Sequence, residues 1–375
     1  MTSAQVRESA LRRLLTALRG PVGGIGVLAL VTALMTSTQS SYNLFIYNTA
    51  LLACIGAIAL NLLMGTAGLV SIGNAAFLAT GGYSAVFFLR SSVPFPFDLL
   101  LAGVVAAVLG LIVGLPALRL RGLSLALATL AGFFIVVYLA TQYQSKARGA
   151  GSAGFNFAPL FQSKGFDGKE RYWAWLLWAV VSGIVVLVWL LTRGKAGRAW
   201  RLLREHEGVA ATVGVPVTTY KLTAFVISSF FIGVQGGLAA HYDGTVTIEN
   251  YTLLLSIQFV AMILIGGLDS ILGAVIGAGL VTWLPYLVPK ITRVFMNESS
   301  AALKGPQIST IVYGLLIIIF ITRSPDGIVG WFRALRVSPL WRRGRRRESP
   351  ADGALIESPP AVVLASDARN EHSGA

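Results

Sequence analysis

Long apolar runs alternate with short polar breaks along most of the chain. IGVLALVTALM (25–35), LLLAGVVAAVLGLIVGLPAL (99–118), YWAWLLWAVVSGIVVLVWLL (172–191) and STIVYGLLIIIFIT (309–322) show the pattern. Runs of about 20 such residues match the roughly 30 Å of a bilayer's hydrocarbon core. The pattern predicts an all-α integral membrane protein with about ten transmembrane helices. They are placed over 21–38, 43–63, 75–89, 98–118, 122–141, 172–192, 219–240, 252–266, 270–288 and 308–322, the eighth of them short.

Composition agrees with this reading. Hydrophobic residues make up 55% of the 375 positions and charged residues only 12%, against about 25% charged in a soluble domain. There is too little charge for a polar coat, so lipid must solvate much of the surface. The net charge of +14 does not point to nucleic acid, because the basic residues sit beside the apolar runs as a membrane topology requires. If the N-terminus is inside, 21 of the 30 Lys and Arg fall in inner segments. That bias places both termini in the cytoplasm and calls for an even number of crossings.

Three regions follow: a basic cytoplasmic N-terminus (1–20), a transmembrane domain (21–330), and a tail (331–375) that is first basic and then disordered. Within the domain, 143–171 reads as an external loop and 193–218 as a cytoplasmic one. The first apolar run ends in MTSTQSSYN without a small-x-small cleavage site, so it reads as a retained helix rather than a leader. The Arg cluster of WRRGRRR is expected to rest on anionic lipid.

Candidate chemistry is sparse. Cys54 is the single cysteine, so there is no disulfide framework. No phosphate-binding GxxxxGK[ST] loop occurs, so the chain carries no ATPase of that type. Gly149, Gly151 and Gly154 spell GxGxxG, but after a membrane helix rather than between a strand and a helix. The three His residues are scattered, no metal-ligand or catalytic cluster is seen, and the spans show no buried carboxylate or basic pair suited to proton coupling.

Two clusters of small and polar residues interrupt apolar runs. One holds Asn61, Gly65, Gly68, Ser71, Gly73, Asn74 and Tyr83; the other holds Ser256, Gln258, Gly266, Gly267, Asp269 and Ser270. Taken together the two clusters read as the lining of a translocation path, the alternative being close helix packing through small residues. A third feature is 194–221, GKAGRAWRLLREHEGVAATVGVPVTTYK. Drawn as one helix over 198–214, it puts Leu202, Leu203, Val209, Ala210 and Val213 on one side and Arg201, Arg204 and Glu205 on another, with Gly214 and Pro216 closing it. It suits either a membrane surface or a partner's groove.

These stretches, with RLRGLSLALATLAGFF, SIQFVAMILIGGLDSILGAVIGA and YGLLIIIFITRSPDGIVG, resemble the LivM-type permeases of branched-chain amino-acid ABC importers, in family order from about 43 to 330. The resemblance implies a type II-like importer permease fold in a bacterial cytoplasmic membrane. It implies as partners a second permease, two cytoplasmic ATPase subunits that bind ATP and Mg, and an extracytoplasmic solute-binding protein, with no cofactor on this chain. By the same resemblance, Arg204, Glu205, Glu207, Val209, Ala210 and Gly214 belong to a coupling helix on the ATPase. Ala211, Gly208, Gln258 and Asp269 depart from the pattern, where an acidic residue, an aliphatic, Glu and Gly are commoner, and 333–375 has no counterpart in it. The expected function is a non-catalytic transport subunit for branched-chain or related amino acids. Urea, short amides and other small polar solutes are the alternative cargo, and a self-sufficient secondary transporter is the alternative class.

Overall fold

The computed structural model describes residues 21–117, 122–149, 154–156, 160 and 165–295, with 311, 314, 315, 318, 327 and 328 besides. The basic N-terminus, most of the span predicted over 308–322 and the 331–375 tail lie outside them. The described chain is helical: α1 Pro21–Thr38, α2 Ser41–Leu60 continued by a π-helix Asn61–Thr66, α3 Asn74–Arg90, α4 Phe97–Ala117, α5 Leu123–Arg148 and α6 Gly165–Arg193. Then come two short helices, α7 Lys195–Glu205 and α8 Glu207–Thr212, followed by α9 Val217–Asp243, α10 Leu253–Gly266 and α11 Ile271–Phe295. A two-residue β1 (Phe155–Asn156) pairs antiparallel with β2 (Thr245–Val246), Phe155 opposite Val246.

Among the described residues six helices are long and apolar enough to cross a membrane, and two shorter apolar ones stand beside them. This is a multi-pass membrane protein. The external loop predicted over 143–171 is helical at both its ends, because α5 runs on to Arg148 and α6 starts at Gly165. Lys146, Lys169, Glu170 and Arg171 end the apolar runs but are good helix formers, so the helices outlast their hydropathy.

Burial sorts the helices. α2 is central and buried along nearly its whole length, from Leu44 to Leu63. α9 is the other inner helix and packs chiefly against α4 and α3. α4, α5 and α6 turn large apolar side chains outward, among them Val104, Ile112, Phe134, Ile135 and Leu190. A water-solvated surface would not carry so continuous an apolar face, whereas hydrocarbon requires one. Inside, small residues set the spacing: a Cβ at Gly236 of α9 would run into the backbone of Leu78, and one at Gly273 of α11 would lie 2.6 Å from the Gly266 carbonyl. The two backbones meet at those points.

Two opposite ends of the bundle are tied separately. At one, Glu170 accepts from Tyr242 Oη at 2.6 Å and Asn48 Nδ2 at 2.8 Å, joining α6, α9 and α2. At the same end, the buried Asp98 carboxylate at the start of α4 is hydrogen-bonded to His241 Nε2 near the end of α9. These are buried ionisable groups inside the spans, contrary to the sequence expectation; each stands in the terminal turns, so an apolar run does not reveal that its last turn folds inward. At the other end lie α7, α8, the π-helix and the α10–α11 turn.

This arrangement fixes which loops share a side. In a Cys54→Ser background, Asn156→Cys and Glu249→Cys should react with an impermeant maleimide from one face of the membrane, and Val213→Cys only from the other. Labelling of all three from the same face would refute the fold.

Candidate functional site

The site is built on a helix that breaks inside the bundle. After Leu60 the α2 backbone widens into a π-turn, with Ala67 N–H bonding Leu62 C=O at 3.1 Å and Leu69 N–H bonding Leu63 C=O at 3.0 Å. Gly68 then takes φ +72°, a left-handed conformation that glycine adopts at little cost. A second break faces this one, where α10 ends at Gly267 (φ +114°) and Asp269 (φ +61°) before α11 begins.

Asn61 joins the two breaks. Its Nδ2 donates to the Ser270 carbonyl at 3.0 Å and its Oδ1 accepts from the Asp269 N–H at 3.1 Å. Thr66 Oγ1 adds a bond to the Asp269 carboxylate at 3.2 Å. Asp is among the few non-glycine residues that tolerate a left-handed backbone, so Asp269 keeps the turn and adds an acceptor. Gly65 leaves room for the bridge, since a Cβ there would lie 2.6 Å from the Asp269 nitrogen.

The α7–α8 segment is fastened to this junction. Arg204 donates through its guanidinium to the Gly65 carbonyl, and its stem lies against Gly68, where an added Cβ would come within 2.9 Å of Cγ. Trp200, fully buried, donates Nε1–H to the Tyr220 carbonyl at 2.8 Å. Lys221, itself buried, pairs with Glu207 at 2.8 Å. The segment thus holds α9 on one side and the broken α2 on the other.

The single helix predicted over 198–214 is in fact two, turned at His206 (φ −147°, ψ 83°). The apolar side splits with it: Leu203 and Ala210 are buried, while Val209 and Val213 are 51% and 71% exposed. The kink rotates the second half, so one amphipathic projection cannot describe both halves. Glu205, Gly208 and Ala211 are exposed as well. Gly214 (φ +84°) closes α8, with the next N–H, that of Val215, bonding the Ala210 carbonyl at 3.0 Å.

The remaining sequence candidates fall in other places. Gly73 and Asn74 open α3, where Ile72 N–H bonds Thr129 Oγ1 at 3.1 Å and Ala75 N–H bonds Ser256 Oγ at 2.9 Å. Ser71 and Asn74 are buried there with side-chain polar atoms that have no hydrogen-bond partner among the described residues. Gln258, half-buried, follows two residues after Ser256. Tyr83 lies at the opposite end, donating to Gln144 Oε1 at 2.6 Å among Tyr143, Phe155 and Tyr251. Gly266 and Gly267 belong to the junction, Gly266 in backbone contact with Gly273. Sequence reasoning missed Trp200, Lys221 and Thr129; only the placement of Trp200 and Lys221 at either end of a loop hinted at their role. Among the described residues no three His, Cys, Asp or Glu group as metal ligands.

A broken inner helix is thus tied by Arg204 to an exposed two-helix segment. Residues 42–321 match the family model described as "Branched-chain amino acid transport system / permease component". The chain belongs to this family. It is 31% identical to the high-affinity branched-chain amino acid transport system permease protein LivM of Salmonella typhimurium and 30% identical to that of Escherichia coli. Each match covers 72% of this chain and 66% of the relative, so the chain spans just under two thirds of the length of these relatives. A probable branched-chain amino acid transport permease protein LivH of Methanocaldococcus jannaschii is 30% identical over 59% of this chain and 72% of its own length. No solved structure matches the chain. The matched region of this family member contains both breaks and the whole α7–α8 segment.

Asn61 is the residue to test. Asn61→Leu removes both hydrogen bonds of this part-buried bridge, each worth about 0.5–1.5 kcal/mol net. Thermal unfolding in detergent should show a clearly less stable protein. Equal stability of wild type and Asn61→Leu would show that the bridge does not hold the junction.

Proposed function

We propose that this chain is a membrane-spanning permease subunit of an ATP-driven ABC importer. Its cargo is branched-chain or related amino acids, with urea, short amides or another small polar solute as the alternative. The observation that carries the proposal is the junction of α2 with the α10–α11 turn, held by Arg204 to an exposed segment, in a member of a transport-system permease family. The subunit does no chemistry of its own. ATP and Mg bind to two partner ATPases that dock on α7–α8, and their closure moves Arg204 and with it the break in α2. A second permease completes the path and an extracytoplasmic binding protein delivers the solute. In this reading the fold is type II-like with ten crossings, the span over 308–322 included, and the membrane is a bacterial cytoplasmic one. Both termini and the α7–α8 segment lie inside.

The exposed apolar residues define the docking face. A membrane-surface helix would bury Val209 and Val213 in lipid and tolerate any arrangement that keeps them apolar; a docked one fixes their register. Val209→Asp and Val213→Asp are cleaner probes than changes at Glu207 or Ala210, because Glu207 is bonded to Lys221 and Ala210 is fully buried. Each Asp variant should insert normally but lose copurification with the ATPases at least tenfold. Normal association and uptake in both variants would remove α7–α8 from the coupling role.

Ser71 and Asn74 supply the path reading. Unpartnered polar atoms in a buried site cost about 1–3 kcal/mol each, a cost that persists where a passing solute uses them. Asn74→Leu should lower leucine uptake by tenfold or more with normal protein level and unchanged binding-protein affinity. Uptake at wild-type rates would take Asn74 out of the path.

A further inference from the structure

A groove of about 540 Å³ lies between α1, α2, α6 and α11. Its walls are apolar, formed by Leu28, Val31, Val188 and Val275 among others. One end differs. There Thr192, Arg193, Arg201, Asp269 and Ser270 line the mouth, where α6 ends and α7 begins. Arg193 stacks over the Trp189 ring at 4.1 Å. Arg201 donates through Nε to the Gly197 carbonyl at 3.2 Å and through a second nitrogen to the Thr192 carbonyl.

These contacts with an aromatic ring and with carbonyls hold both guanidiniums in place without neutralising them. Among the lining residues Asp269 is the one carboxylate, and it already accepts from Thr66. The mouth is therefore net positive. Along the side, Val27, Leu272 and Ile276 are lining residues that are 50%, 51% and 43% exposed, so the slot opens laterally where a spanning chain meets hydrocarbon. A slot that is apolar along its length, cationic at one end and open to the bilayer is complementary to an amphiphile with a negative head.

The geometry points to this groove as a binding site for an anionic phospholipid, its acyl chain along the α1–α11 wall and its phosphate at Arg193 and Arg201. Arg201 stands three residues before Arg204, on the same face of α7, and Arg204 holds the break in α2. A bound headgroup thus steadies the helix that carries the junction. The site requires only that the chain spans a membrane, and it stands or falls separately from the importer reading.

Purified full-length chain, offered equal phosphatidylglycerol and phosphatidylcholine, should retain phosphatidylglycerol in preference by on the order of tenfold in native mass spectrometry, as two basic groups near a headgroup allow. Arg193→Gln with Arg201→Gln should bring the two lipids to near-equal retention, the double Lys variant should keep the preference, and Ile276→Trp should lower retention of both. In the wild-type chain, phosphatidylglycerol with brominated acyl chains should quench tryptophan fluorescence more than its phosphatidylcholine counterpart, a readout independent of any variant. Equal quenching, an unchanged preference in the double Gln variant, or retention of neither lipid would overturn the proposal. Displacement of the lipid by inorganic phosphate alone would do so too, by reducing the site to a free-anion site.

Discussion

In hydrocarbon a broken helix exposes backbone donors and acceptors that no solvent can satisfy, and each one must find a partner inside the protein. The rest of this structure depends on how that constraint is met at Asn61. One side-chain amide gives its donor to the Ser270 carbonyl and its acceptor to the Asp269 N–H, closing two breaks against each other. The π-turn after Leu60 and the left-handed Gly267 and Asp269 persist because they share that bridge and the space left by Gly65.

The same requirement explains why the α7–α8 segment is not a loose loop. The Gly65 carbonyl, freed by the break, is taken by Arg204 from outside the spans. A backbone defect in α2 is thereby completed by a residue on an exposed surface element. Trp200 and Lys221 anchor the same element to the first turn of α9. The element thus touches both inner helices, α2 and α9, and α9 lies in turn against α3 and α4.

The far end is organised by charge and aromatic contact instead. Glu170 with Asn48 and Tyr242, Asp98 with His241, and the cluster around Tyr83 hold the helix ends together. Buried pairs of this kind are sensitive to loss of one partner more than they are large net stabilisers. The result is a bundle with one end held by side-chain pairs and the other joined through backbone breaks.

The membrane class and most of the helices were legible in the sequence, because hydropathy over about 20 residues is set by lipid and needs no tertiary information. The two interrupted regions were legible for the same reason: Gly, Asn and Asp inside an apolar run cost too much to be incidental. What these residues do to one another was not legible. Asn61 and Ser270 are 209 positions apart, and no local pattern says that one amide will meet the other's carbonyl. The split of α7 from α8 at His206 was hidden because a helical projection assumes an unbroken axis, and with it went the exposure of Val209 and Val213. Nor could periodicity separate Gly266, pressed against Gly273 in α11, from Gly65, which makes room for the Asn61 bridge. Lipid selects for long apolar runs, so sequence alone reveals the apolar helices; the pairing of their broken backbones depends on distance in space, and only the tertiary structure decides it.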